Sequence, residues 1–225
     1  MRKDATPASS DEVGRARRKR FCYEYPRPMV TVDVVTLRLR ETEAEVLLVK
    51  RKAPPHMGRW ALPGGFIRMN EPLEEAALRE LGEETGIRDV PFLMQLGAYG
   101  DPKRDPRGRV VSVAFIAILH DARVEAHAAS DAAEVSWFPV RRLPLRIAFD
   151  HERIIGDAIG RIISSATNTA ILFAFLPHEF TESRLQSVLD AFFGRAIAAR
   201  PYLDYFSKTG LVRRAGRGRF RLYRP

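Results

Sequence analysis

The stretch that decides the fold, residues 64–87, reads GGFIRMNEPLEEAALRELGEETGI. Its apolar residues recur every four positions and predict a helix over Leu73–Thr85. Glu80, Glu83 and Glu84 stand at i, i+3 and i+4, so this helix places all three carboxylates on one side. Because like charges at this spacing repel, the pattern favours a bound cation, and hard oxygen ligands suit Mg²⁺ or Mn²⁺. The stretch therefore predicts a metal site that faces a phosphate substrate.

The alternative is an acidic helix face exposed to solvent, which is what most runs of charge are. Three neighbouring features count against it. Gly64-Gly65 precedes the helix and offers carbonyl oxygens and close approach to a ligand. Arg79 lies four positions before Glu83 and can orient its carboxylate, and Gly86 supplies a helix stop.

The spacing of this stretch resembles the signature of the Nudix family. Glycine, five residues, glutamate, seven residues, Arg-Glu-Leu, one residue, Glu-Glu, one residue and Gly-Ile are all present, at Gly65, Glu71, Arg79, Glu80, Leu81, Glu83, Glu84, Gly86 and Ile87. The resemblance implies metal-dependent cleavage of a nucleoside diphosphate linked to another group. It also implies site residues: Glu80, Glu83, Glu84 and the Gly64 carbonyl as metal ligands, and Glu71 and Arg79 as supports.

Composition sets the outer bounds of the function. With 225 residues, 45% of them hydrophobic, the chain is long enough for one large domain or two small ones. The single Cys22 excludes an internal disulfide and a thiolate metal cluster, and we expect a reducing, cytoplasmic location. No apolar run is long enough to cross a bilayer, so no membrane is expected. The first twenty residues lack the apolar stretch of a secretory signal.

The net charge of +9 is concentrated at the two ends. Residues 1–20 hold seven basic residues against three acidic ones, and residues 201–225 hold seven against one, which gives +4 and +6. The 180 residues between them therefore carry a net charge of −1. Basic ends on a nearly neutral body favour a polyanionic partner, although a solubilising tail has the same composition.

Strand patterns predict the architecture of the first part. Val30–Arg40 and Glu45–Arg51 predict a hairpin, and Val110–Leu119 predicts a long central strand. Together with the glutamate helix, this α+β pattern resembles the Nudix α/β/α sandwich. We assign the sandwich to residues 23–146, after a basic and flexible tail at residues 1–22.

After residue 146 the pattern becomes mainly helical. Phe149–Ser164 predicts a helix with an isoleucine stripe, and Ile171–Leu176 is a short apolar run that we take as a strand. Thr181 is the predicted N-cap of a second helix that ends at Gly194. A third helix follows over Ala198–Lys208.

A basic hairpin ends the chain, from Leu211 through a turn to Tyr223. Helix, strand, helix, helix and hairpin is the order of a winged helix, which we assign to residues 147–225. Such a domain places its last helix in the major groove of double-stranded DNA while the wing contacts the backbone. The candidate DNA contacts are Arg200, Tyr202, Tyr205, Ser207 and Lys208 on the helix and Arg213, Arg214, Arg217, Arg219, Arg221 and Arg224 on the wing. A winged helix that binds protein is the alternative, and the arginine-rich wing favours nucleic acid.

The combination of the two parts resembles the Nudix-related transcriptional regulators of bacterial NAD metabolism. The segments that carry this resemblance are Tyr99–Pro102, Arg104–Arg109, Phe149–His151 and Leu222–Arg224. It implies a homodimer whose winged helices hold a palindromic DNA operator. It also implies a Nudix domain that senses ADP-ribose or a related NAD metabolite and releases the operator when it binds.

The complete signature keeps a second function open, an ADP-ribose pyrophosphatase with an accessory C-terminal domain. Its metal would polarise the diphosphate, and Arg51, Arg59 or Arg109 would neutralise the phosphates. The expected products are AMP and ribose 5-phosphate. Three acidic residues outside the signature are candidates for the catalytic base: Glu125, Asp131 and Glu134.

Overall fold

The computed structural model describes residues 24–121, 123–128, 132–166, 169–194 and 197–223. The predicted tail at residues 1–22, Asp131 and Arg224 lie outside these ranges. No helix in the described ranges has the length and apolar character needed to cross a membrane.

A seven-stranded mixed sheet forms the centre of the first part. The strands are β1 Met29–Arg40, β2 Glu43–Arg51, β3 Trp60–Ala61, β4 Gly64–Phe66, β5 Phe92–Tyr99, β6 Val110–Leu119 and β7 Ala132–Pro139. Their main order in the sheet is β3-β2-β1-β6-β5, with β4 on β1 and β7 on β2. The predicted hairpin is confirmed as β1–β2, and the predicted central strand is confirmed as β6, which pairs in parallel with β1.

One helix covers each face of this sheet. Helix α1, Leu73–Thr85, ends at the predicted position and buries its alanines and Leu81 against alternate residues of β1 such as Val34. Helix α2, His151–Ser165, covers the other face, where the remaining residues of β1 such as Leu37 meet its isoleucine stripe. Because side chains alternate along a strand, β1 supplies both layers of core. The α/β/α sandwich is confirmed.

The second part of the chain forms a winged helix, although the first helix assigned to it, α2, packs on the sheet of the sandwich. Helices α3, Glu182–Phe193, and α4, Ala199–Lys208, pack beside a three-stranded sheet of order β8-β10-β9. Thr181 is confirmed as the N-cap of α3, since its Oγ1 accepts a hydrogen bond from the Arg184 amide. The strands are β8 Glu179–Thr181, β9 Val212–Gly216 and β10 Arg219–Leu222.

Two details of the prediction were wrong or incomplete. Ile171–Phe175 is a buried 3₁₀ turn, and the strand expected in this region is β8 instead. A short run with every side chain buried has no period that separates a strand from a helical turn. Strand β5 was not predicted, and an irregularity between Gln95 and Gly97 interrupts its pairing with β6.

The two parts share one buried apolar core. A single cluster runs from the sheet through α2 to residues of α3, α4 and β10, including Leu189, Phe206 and Phe220. The Tyr202 hydroxyl on α4 donates to the Ala166 carbonyl at the end of α2, at 2.6 Å. Arg184 on α3 donates to the Leu39 carbonyl of β1. Helix α2 therefore contacts both the sheet and the winged helix.

Candidate functional site

A polar cleft of about 570 Å³ opens where α1 faces strands β1, β2 and β4. It contains the glutamates of α1 and the glycine turn that precedes the helix. Its charged lining residues are Asp33, Lys50, Arg51, Lys52, Arg68, Arg79, Glu80, Glu83, Glu84, Arg104, Asp105 and Arg107. Seven cationic and five acidic side chains in one cleft suit a ligand that carries both a metal ion and phosphates.

The glycine pair permits close packing between the loop and the helix. A Cβ atom on Gly65 would lie 2.6 Å from the Glu80 carboxyl carbon, and one on Gly64 would lie 2.2 Å from the Val32 carbonyl oxygen. Both distances are shorter than real Cβ contacts. The Gly64 amide also donates to Glu84 Oε2 at 3.0 Å. The loop backbone and the carboxylates therefore stand in direct contact only because side chains are absent here.

Arg79 holds the loop and the helix in register. It donates to both oxygens of Glu71, at 2.5 and 2.9 Å, and to Glu80 Oε1 at 2.7 Å. It also reaches Glu83 Oε2 at 3.2 Å, the orientation expected from their spacing. The hydrogen bond from Arg79 is the main cause that lowers the pKa of Glu71 to about 2. Arg79 and Glu71 thus join the loop to the helix, and their supporting roles in catalysis or binding stay a prediction.

Glu84 is a buried carboxylate whose negative charge is only partly offset by its neighbours. Burial raises its pKa to about 8, and the nearby charges of Glu80 and Asp33 add to this effect against the Gly64 hydrogen bond. Burial also raises the pKa of Glu80, although Arg79 opposes it. Such a group needs either a proton or a cation at neutral pH.

The donor chemistry of the cleft fits a hard divalent cation. The candidate ligands are all oxygens, and the buried Glu84 lacks a full counter-charge. Within the described ranges, no three acidic, histidine or cysteine side chains converge as they would around a metal ion. Glu80 and Glu83 instead pair with Arg79, and Glu83 also pairs with Arg68 at 3.1 Å. Both carboxylates are therefore engaged by arginines in this structure.

Two arginines and an aromatic ring form the opposite wall. The guanidinium groups of Arg51 and Arg107 lie 5.0 and 5.7 Å from the ring centre of Phe149, and that of Arg107 lies 5.0 Å from Phe66. Burial, followed by the charge of Arg107, lowers the pKa of Arg51. Cations held near one another and stacked on rings suit the binding of phosphates. The sequence predicted Arg51 here but gave no position to Arg107 or Phe149 in the site.

A buried polar network that was not predicted lies beside the glycine turn. Arg104 donates to both oxygens of Asp150, at 3.0 and 2.6 Å, and to Asp33 Oδ2 at 3.3 Å. His151 Nδ1 accepts from the Leu62 amide at 2.9 Å, which places the ring proton on Nε2, 3.4 Å from Asp33 Oδ1. Burial lowers the pKa of His151, in keeping with a neutral ring. The Arg-Asp-Pro-Arg loop and the Phe-Asp-His segment were noted in the sequence, but their contact across the fold has no local signal.

Several predicted residues lie away from the cleft. Arg59 and Arg109 do not line it, and Arg109 donates to the Gly100 carbonyl at 2.6 Å. Glu125 stands in a separate surface pocket near His127. Glu134 forms an exposed ion pair with Lys50, whose side chain lines the cleft, at 3.1 Å. Of the predicted ligand-binding residues, the cleft brings together Gly64, Gly65 and Arg51.

The second predicted site is a basic surface formed by α4 and the β9–β10 hairpin. Phe220 and Leu222 point into the core, so the arginines that alternate with them on β10 point to solvent. Arg221 pairs with Glu179 on β8, and Arg213 stacks on Tyr223 with 4.1 Å between guanidinium and ring centre. The exposed basic side chains of this surface are Arg200, Lys208, Arg213, Arg214, Arg217, Arg219 and Arg221.

The structure assigns different surroundings to the two tyrosines of α4. Tyr202 is packed against Phe173 and Phe206, and its hydroxyl is hydrogen-bonded to the Ala166 carbonyl. Its predicted place in a DNA-binding surface therefore conflicts with its packing role. Tyr205 is 54% exposed and stands on the outer side of the helix. Arg200 is exposed but lies near Glu182 and Asp204, which offset its charge.

Comparison with known proteins identifies relatives of both parts. The model of the NUDIX domain matches residues 27–157. An ADP-ribose pyrophosphatase of Methanocaldococcus jannaschii is 45% identical over 134 residues, which cover 59% of this chain and 74% of the relative. This similarity covers little more than half of the chain.

Other relatives match almost the whole chain. The ADPR responsive transcriptional repressor NtrR of Acinetobacter baylyi is 29% identical over 205 residues, covering 90% of this chain and 81% of the relative. The crystal structure of Shewanella oneidensis NrtR complexed with a 27mer DNA superposes with a TM-score of 0.73 and 30% identity. That similarity covers 86% of this chain and 93% of the other. The arrangement of sandwich and winged helix is thus shared with a protein solved on DNA.

Proposed function

The chain belongs to the Nudix family, and we propose that it is a DNA-binding transcriptional regulator whose Nudix domain senses ADP-ribose or a related NAD metabolite. The observation that carries the proposal is the placement of an arginine-rich wing behind an intact Nudix cleft, within one shared core. The similarity to a repressor along nine-tenths of the chain supports it. The division predicted after residue 146 stays a prediction, since helix α2 packs both on the sheet and on the DNA-binding part.

The ligand side of the proposal rests on the charges of the cleft. We assign the diphosphate of the metabolite to Arg51 and Arg107, which stand together at the wall formed by Phe149. The Gly64 carbonyl, Glu80, Glu83 and Glu84 would hold Mg²⁺ or Mn²⁺, and the ion would supply positive charge that offsets the negative charge of the carboxylates and of the phosphates. Glu71 and Arg79 would keep the loop and helix in place.

The DNA side rests on the exposed basic surface. Arg213, Arg214, Arg217 and Arg219 would neutralise phosphates beside the groove that α4 enters, and Lys208 stands at the end of that helix. We propose a homodimer, because a two-fold symmetric operator requires two copies of this surface. The ligand must bind better to the arrangement that does not bind DNA, since otherwise it would not release the operator.

The test is DNA binding by the intact protein with and without ADP-ribose. A pool of random duplexes should yield a palindromic site, and binding to it should weaken with salt and with ADP-ribose plus Mg²⁺. Replacing the arginines at 214, 217 and 219 with glutamine should weaken binding without changing the affinity for ADP-ribose. Duplex binding that is absent at low salt would reject the proposal.

A second candidate function, hydrolysis of ADP-ribose, is favoured by the complete signature and by the 45% identity to a pyrophosphatase. Incubation with ADP-ribose and Mg²⁺ or Mn²⁺ would then release AMP and ribose 5-phosphate. Turnover should fall at least 100-fold in Glu84→Gln, in line with the loss of an electrostatic group in a catalytic site. Equal turnover in the wild type and in Glu84→Gln would exclude this site as its source. Hydrolysis and sensing are compatible in one protein.

A further inference from the structure

The buried network beside the cleft joins three separate segments of the chain through one arginine. Arg104 makes a bidentate ion pair with Asp150 and a single contact with Asp33, and its side chain is 3% exposed. Asp33 also accepts from the hydroxyl of Ser112 on β6. One cation thus serves two carboxylates in a site of low dielectric constant, so the network responds strongly to added charge nearby.

One end of this network touches the proposed metal site. Asp33 Oδ1 lies so close to Gly64 that a Cβ there would stand 2.8 Å from it. The amide of the same glycine donates to Glu84. A cation bound beside Gly64 would attract Asp33 and repel Arg104 across this short distance. A cation in the cleft would therefore change the balance of charge on which the two ion pairs of Arg104 depend.

The other end of the network fixes the start of α2. Asp150 directly precedes the helix, a position where aspartate ordinarily caps the free amides. Its side chain makes no capping hydrogen bond and binds Arg104 instead. The preceding residue, Phe149, lines the cleft with a φ of 54°, a backbone conformation that is rare for a residue with a bulky side chain. The beginning of α2 is thus held by contacts of the cleft more than by its own cap.

Helix α2 carries this connection to the DNA-binding part. Its 15 residues span about 22 Å. Its isoleucines share a core with α3 and α4, and the residue after it, Ala166, accepts the hydrogen bond of Tyr202 on α4. A shift of the first turn would therefore be transmitted to the helix proposed to enter the major groove.

We infer that Arg104 and Asp150 are a positioning pair that couples the occupant of the cleft to helix α2, and through Tyr202 to the DNA-binding helix α4. The inference rests on the proposed function, since it names how the sensing site regulates DNA binding. Neither residue belongs to the Nudix signature, and Asp150 does not line the cleft.

The experiment compares the wild type with Asp150→Asn, which keeps the size of the side chain and removes its charge. Asp157→Asn is the matched control, because Asp157 lies on α2, accepts a hydrogen bond from the Tyr99 hydroxyl and makes no contact with Arg104 that the structure records. Amide hydrogen exchange is measured with and without ADP-ribose and Mg²⁺. DNA affinity is then measured in the same two conditions, and the ratio of the two affinities is compared between proteins. In the wild type and Asp157→Asn, the ligand should change exchange in the cleft and in α4.

In Asp150→Asn, the same ligand should change exchange in the cleft alone, and the ratio of DNA affinities should fall at least fivefold towards one. The affinity of Asp150→Asn for ADP-ribose should stay within about threefold of the wild-type value, because the free energy of the conformational change that accompanies binding is small. A response of α4 in Asp150→Asn equal to that of the wild type would overturn the inference. The inference would also be overturned if ADP-ribose changed amide exchange in the cleft of the wild type but not in α4, even if the protein binds DNA and senses the ligand. A wild-type cleft that shows no response to ADP-ribose would reject the proposed function, and the inference with it.

Discussion

At the scale of single residues, the chemistry of the cleft centres on Glu84. It is buried among other acids, and one backbone amide and the field of Arg51 offset part of that cost. Without a bound cation, the native state is less stable when Glu84 is ionised than when the side chain at this position is neutral. This is the residue at which the stability of the metal-free protein and the affinity for metal oppose each other.

The first prediction follows from the pKa of Glu84, which folding raises from 4.5 to about 8. Between these values the native state holds a proton that the unfolded chain releases, so the free energy of unfolding falls as the pH rises. In the presence of a chelator, Glu84→Gln should remove this fall. The free energy of unfolding of the variant, relative to that of the wild type, should therefore increase by roughly 2–4 kcal/mol as the pH rises from 5 to 8. Urea unfolding at several pH values measures it.

The control is Glu75→Gln, an exposed glutamate of the same helix, which should keep a pH profile parallel to wild type. If Glu84→Gln also runs parallel to wild type, the carboxylate is ionised throughout this range and its environment is more polar than we describe.

The second prediction concerns the close approach at Gly64. A methyl group there would meet the Val32 carbonyl of β1, which belongs to the centre of the sheet and has little room to move. Gly64→Ala should lower the free energy of unfolding by about 1–3 kcal/mol, as overpacking does. Gly97→Ala, where a Cβ meets nothing within 4 Å, is the control and should change stability by less than about 0.5 kcal/mol. Equal effects in thermal unfolding would contradict the packing described here.

At the scale of elements, the sequence could predict features that have a local signal and could not predict those that depend on long-range contacts. Helix α1 was predicted from end to end, because its apolar spacing and the glycine at 86 are local. The N-cap at Thr181 was local in the same way. Arg104 and Asp150 are 46 positions apart and meet only after the sheet and α2 have packed, so no spacing reveals them. The buried 3₁₀ turn at Ile171–Phe175 was missed because an unbroken apolar run carries no period.

The third prediction belongs to the wing. Arg217 lies in the turn between β9 and β10 and is exposed, whereas Arg221 is paired with Glu179 and has part of its charge offset. Arg217→Gln should weaken duplex binding roughly three- to tenfold for all sequences and reduce the slope of log affinity against log salt by about 1. Fluorescence anisotropy over a series of salt concentrations measures both.

Arg123→Gln is the matched control, since Arg123 is exposed, pairs with Asp121 and lies outside the wing. Its salt slope should equal that of the wild type. A loss that is restricted to one base pair of the site would show that Arg217 reads sequence and does not merely neutralise phosphate.

At the scale of the whole molecule, the cleft and the basic surface are joined by one core and one helix. Helix α2 closes the sandwich on one side and supports α4 on the other. The sequence could predict the two parts and their charges, because the glutamate spacing and the arginine-rich hairpin are each local. It could not predict that α2 would belong to both, since that depends on which face of the sheet the helix covers.

The most direct test of the account is the affinity of the intact protein for its selected duplex as ADP-ribose is added with Mg²⁺. We predict salt-sensitive binding to a palindromic site, with affinity at least tenfold lower at saturating ADP-ribose, a coupling of about 1.4 kcal/mol. The same affinity with and without ADP-ribose, in a protein whose cleft binds that ligand, would contradict the claim that the Nudix domain is the sensor.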